Sequence, residues 1–130
     1  STMRKTYLPR FLDSIRDRVQ LTRGNCTVLD DIQLTNRTGH TWGLQTVEFQ
    51  DDSGTVCFVS DVMPTCNHVG LAYSMGYDML PWDNMESKKQ LLQQAVDEDW
   101  RLVLYHEPNT PVATVSKDDR GRFVLTAVTH

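Results

Sequence analysis

Thr46 to Gln50 reads TVEFQ, Asp51 to Gly54 reads DDSG, and Thr55 to Val59 reads TVCFV. In the first arm apolar and polar residues alternate. On an extended chain that sends one kind of side chain to each face. Acidic residues, Ser and Gly between the arms suit a tight turn. Together they predict a β-hairpin, the clearest in the chain. Upstream, Val28, Ile32 and Leu34 stand among Thr, Asp and Gln, which suits one or two further strands. Downstream, Ser60 to Asp83 is rich in Pro, Gly, Asn and Asp, the composition of a long loop that carries function. Residues 85–98, MESKKQLLQQAVDE, are strong helix formers, with Asp83 or Asn84 as the expected cap. Met85, Leu91, Leu92, Ala95 and Val96 form the packing stripe. Lys88, Lys89, Asp97, Glu98 and Asp99 read as the wet face. RLVLY (101–105), residues 111–116 and residues 122–128 add strands, the last two joined by KDDRG. Near the start, helical spacings are interrupted by Pro9, so residues 1–18 read as helical or irregular. The expected fold class is α+β: a mostly antiparallel or mixed sheet of six or seven strands with helix on one face.

The chain has 130 residues, room for one domain. With 39% hydrophobic and 23% charged residues and a net charge of -4, it is globular in composition and not a strongly basic nucleic-acid binder. No apolar run reaches the ~18 to 20 residues of a membrane span. The opening STMRKTYLPRF lacks the apolar core of a signal peptide. Cys26, Cys57 and Cys66 form no Cys-x-x-Cys pair, so a reducing, cytoplasmic setting is expected, with neither membrane nor nucleic acid as partner.

Four segments can carry chemistry: TGHTWG around His40, Ser60-Asp61, Asn67-His68 and His106-Glu107-Pro108. Glycines either side of His40 let the backbone turn sharply and aim the imidazole. Asp61 and His106 each follow a predicted strand, where ligands and bases are commonly placed. Two imidazoles and a carboxylate on one rim suit zinc or a similar divalent ion. Plainer roles stay open. His40 and His106 can be turn and strand-end residues bonded to backbone, Asp61 can cap a turn, and His68 reads more readily as a plain loop residue. Cys66 reads as a small buried thiol or, less readily, a soft ligand. Trp42, Trp82 and Trp100 read as core or rim packing, and His130 as a solvated end.

In order along the chain stand TGHTWG (38–43), VSD (59–61) followed by MPTCNH (63–68), MGYDMLPW (75–82), ESKKQLL (86–92) and LYHEP (104–108). This series resembles the C-terminal half of the metallo-β-lactamase fold superfamily, in its hydrolase branch. The resemblance implies half of an αββα sandwich. It makes His40, Asp61 and His106 metal ligands, with Asp61 the bridging carboxylate and the catalytic residue. His68 takes a substrate-lining position, and zinc, manganese or iron is the implied metal. It further implies hydrolysis of an ester, thioester, lactam, lactone or phosphoester of a small molecule by a metal-bound hydroxide. Two departures stand out. The family's first ligand cluster, His-x-His-x-Asp-His, is absent: histidines occur only at 40, 68, 106 and 130. Ser60 stands where the family usually has Gly.

Half a sandwich leaves one sheet face apolar and uncovered. About 600 Å² of such surface costs roughly 15 kcal/mol at ~25 cal/mol per Å². That equals the upper end of the ~5 to 15 kcal/mol that holds a domain folded. Association is therefore expected, with the missing N-terminal half or as a homodimer, sheet on sheet. The alternative function is a non-catalytic half-domain, homodimeric, that serves as a binding or scaffold module. An unrelated β-rich binding domain fits the ordered motifs least.

Overall fold

Seven strands pair in simple sequence order in a computed structural model, which describes residues 9–128. They are β1 (Cys26–Leu29), β2 (Ile32–Asn36), β3 (Gln45–Asp51), β4 (Gly54–Phe58), β5 (Arg101–Val103), β6 (Val112–Lys117) and β7 (Phe123–Ala127). Every neighbouring pair is antiparallel except β4 and β5, which run parallel. A parallel pair needs a long crossover. Here the crossover is the loop after β4 and the helix α2 (Pro81–Asp97). The expected α+β sheet with helix on one face is what forms.

The hairpin of β3 and β4 closes with Asp51 opposite Gly54, whose φ of +111° a side chain would resist. Cross-strand pairing then sorts residues onto faces. One row runs Glu48, Cys57, Leu102, Ala113, and all four are buried beneath the helix side. The core there adds Val59, Val62, Met63, Leu104, Val115 and Trp100 to Leu91, Leu92 and Ala95 of α2. The next row runs Cys26, Leu34, Val47, Phe58, Val103, Val112 on the opposite face. Each is only half-buried, and among the described residues no helix packs on them. Phe49 and Val124 on this same face are 38% exposed.

Three expectations need correction. The helix starts at Pro81, a turn earlier than Met85, because proline's fixed φ suits the first helical position. Asn84 is therefore no cap; it is buried inside the first turn. Lys88 does not belong to the wet face, for it is fully buried. Lys89, Asp97, Glu98 and Asp99 are exposed as expected. Near the start, α1 (Pro9–Asp13) and a 3-10 turn at Arg16–Arg18 leave Phe11, Leu12, Ile15 and Val19 exposed. Trp100 is core, but Trp42 and Trp82 are 59% and 70% exposed. Tyr7, Leu8 and His130 lie outside the described residues. All three cysteines are free, with Cys57 buried and Cys66 partly buried.

Candidate functional site

Strand direction explains why three distant residues meet. Because β2 and β4 are each antiparallel to β3, they point the same way, and β5 is parallel to β4. The chain leaves all three strands at one end of the sheet. Past β2 comes His40, past β4 comes Asp61, past β5 comes His106. Asp61 sits in a 3-10 turn, Ser60–Val62, that follows β4 directly. Ser60 takes φ +50°, a left-handed conformation that Gly adopts without strain, which accounts physically for the usual Gly before this Asp.

Asp61 stands between the two histidines. Its Oδ1 is 3.1 Å from His106 Nε2, and its Oδ2 is 3.9 Å from His40 Nε2. Donor atoms sharing one zinc at bond lengths near 2.1 Å lie about 3.4 Å apart, so these separations straddle what a common ion needs. The donor types fit a divalent metal. The set is not closed, however: among the described residues no group of three or more His, Cys, Asp or Glu side chains is placed to hold an ion.

The two histidines are held differently. His40 Nδ1 is 2.9 Å from Asp78 Oδ1, and the Asp78 side chain is wholly shielded from solvent. With Nδ1–H donating to a carboxylate, Nε2 keeps its lone pair free and aimed toward Asp61. Asp78 Oδ2 in turn accepts from the backbone N–H of Met75 at 3.1 Å and from Asn84 Nδ2 at 3.2 Å. The loop bearing His40 is also bonded by backbone: Leu80 N–H to Gly39 O and Met79 N–H to His40 O. Gly39 has no room for a side chain, since a Cβ would lie 2.4 Å from Asn84 Cα. Tyr77 meets the His40 ring edge-on, centroids 5.8 Å apart. By contrast the His106 side chain is 51% exposed. Its backbone N–H reaches Pro64 O, and Tyr105 packs on its ring at 4.7 Å. Next to it, the Glu107 carboxylate accepts the N–H groups of Cys66 and Asn109, which hold its pKa below the ordinary value.

His68 does not touch Asp61. Its Nδ1 is 2.8 Å from Thr65 Oγ1. Burial first, and then the positive charge of Lys88, push its pKa below the usual histidine value. It lines a depression of about 470 Å³ together with His106, Thr65, Met75 and Tyr77. Cys66 lies apart from the Asp61 pair, its Sγ toward Thr110 O at 3.9 Å. Asp78 and Asn84 were missed as site residues by sequence reasoning. Asp78 lies inside MGYDMLPW, but no spacing rule links it to a histidine 38 positions earlier.

No protein-family model matches the sequence, and no curated protein matches it. Solved structures do. A probable metal-dependent hydrolase from Staphylococcus aureus superposes with a TM-score of 0.74 at 16% identity, over 88% of this chain and 42% of that one. AidC, a dizinc quorum-quenching lactonase, gives 0.80 at 17% identity, over 98% of this chain and 45% of that one. AbOPH, a hydrolase in the beta lactamase superfamily, gives 0.74 at 13%, over 92% and 42%. The chain thus spans less than half the length of each, the extent expected of a C-terminal half. No described helix is long and apolar enough to cross a membrane. By fold, the chain is therefore one half of a metallo-β-lactamase sandwich.

Proposed function

We propose that the chain supplies half of a metal-dependent hydrolase site, with His40, Asp61 and His106 as ligands and Asp61 as the shared carboxylate. The observation that carries this reading is Asp61 held within 3.1 Å of one imidazole and 3.9 Å of the other, with Asp78 fixing the tautomer of His40. A divalent metal there, zinc, manganese or iron, would polarise a carbonyl or phosphoryl oxygen and acidify a water. His68, whose pKa is lowered by burial and by Lys88, would face a small-molecule substrate in the depression it shares with His106. An ester, thioester, lactone or phosphoester is the bond class. The remaining ligands would come from a second β-layer laid on the bare row from Cys26 to Val112, the missing N-terminal half being the occupant that the coverage of 42 to 45% favours. The three free thiols suit a reducing, cytoplasmic setting.

The absence of a closed donor set among the described residues favours a second reading, a non-catalytic half-domain that pairs with itself as a binding or scaffold module. Metal uptake separates the two. The hydrolase reading expects zinc to bind by equilibrium dialysis and elemental analysis, and to be lost in His40→Ala. No uptake, with no cleavage of ester, lactone or phosphodiester substrates in added metal, would overturn it. Light scattering on the eluting peak reports the covering layer: a monomer at low micromolar concentration that binds no apolar dye would remove the need for one.

A further inference from the structure

Lys88 is the largest fully buried side chain among the described residues, yet none of its hydrogen bonds there runs to a carboxylate. An isolated buried ammonium is expensive unless its three N–H groups find acceptors. All three do, and every acceptor is a main-chain carbonyl of one loop: His68 O at 2.9 Å, Gly70 O at 2.9 Å and Tyr73 O at 2.5 Å. The loop is otherwise tied by Glu107 at the Cys66 N–H and by Cys66, Val69 and Leu71 packed against the core. It contains no strand, and its own bonds are single turns such as Val69 N–H to Cys66 O and Tyr73 N–H to Gly70 O. Yet it carries His68, and it leads into Ser74 to Tyr77, which line the same depression as His106. Burial draws the Lys88 pKa down to about 8, with Asp78 opposing the shift, so the third proton is still present at neutral pH.

We propose that Lys88 is a positioning residue: rooted in α2, its ammonium sets where His68 and the 74–77 wall stand relative to His106. A rigid helix thereby dictates the width of a cleft whose wall is irregular chain. The functional weight of this inference rests on the reading of that depression as the substrate side of a hydrolase; the clamp itself is tested without metal or substrate.

The experiment compares the full chain with Lys88→Met and Lys88→Gln by amide hydrogen exchange and by NMR titration of His68. Methionine fills the volume and leaves His68 O and Tyr73 O unpaired, and Gly70 O with the Tyr73 N–H alone. The expected result is exchange at least tenfold faster at His68, Val69, Tyr73 and Met75, less than twofold change at Leu91 to Ala95, and a His68 pKa rising toward its ordinary value. Lys88→Gln, which keeps two donors, should fall between. Uniform acceleration across helix and loop would overturn the proposal, as would a loosened loop with an unmoved His68 titration, since Lys88 would then be scaffold only. If Lys88→Met does not fold, the wild-type ammonium decides: slowly exchanging Nζ protons at pH 7 support the clamp, and their absence defeats it. Failure of the hydrolase reading would show in metal uptake and leave these measurements where they stand.

Discussion

His40 and His106 face the same carboxylate from opposite sides, and they are built to different standards. His40 is 18% exposed in its side chain and backed by a carboxylate that no solvent reaches. His106 is 51% exposed, and among the described residues it has no counterpart of Asp78. The first is pre-organised by a shell that continues through Asp78 to Asn84 and into α2. The second hangs on a turn past a three-residue strand. A site with one rigid jaw and one open jaw can be half-built before a covering layer arrives. The open jaw is where that layer would do the remaining ordering.

Two substitutions test the rigid jaw. Gly39→Ala drives a Cβ to within 2.4 Å of the Asn84 backbone, which no rotamer change relieves. The His40 loop must back away from α2, at a cost of roughly 2 to 3 kcal/mol. Urea unfolding should show that loss, and a midpoint unchanged from wild type would mean that the two elements are not in register. Asp78→Asn is subtler. It keeps the volume but removes the charge that holds the imidazole N–H. Zinc affinity, read by competition with a chromophoric chelator, should fall about 10- to 100-fold, or roughly 1.4 to 2.7 kcal/mol. An effect below threefold would place the two jaws on equal footing.

How much of this was legible depends on how local each cause is. The β3–β4 hairpin was, because alternation and DDSG act between near neighbours. The start of α2 was not: Asn84 resembles a cap, but Gly39, 45 positions earlier, leaves a gap that Asn84 fills. Lys88 was misread for the same reason. A lysine in a polar helix belongs to solvent by default, and only carbonyls 15 to 20 residues upstream make a buried ammonium tolerable. His40, Asp61 and His106 stood out through the order of motifs. That they share one end of the sheet follows from the parallel β4–β5 crossover, which no local pattern encodes. Asp78 had no signal at all.

The open jaw is tested best by acid. Glu107 ties the His106 turn to the loop at Cys66 through the N–H groups of Cys66 and Asn109. Those two donors favour the carboxylate, so its pKa in the folded chain lies below the ordinary glutamate value. A carboxyl whose pKa is lowered on folding contributes fully above its unfolded value and loses that contribution as pH falls through the folded one. The residue is only partly buried, so the effect on global stability is small, and the local signature carries the test. Between pH 5 and pH 3 the Cys66 and Asn109 amide resonances should move together in one titration. In Glu107→Gln the two amides should already sit at their acid positions and show no step. A step that persists in Glu107→Gln would assign the tether to another group.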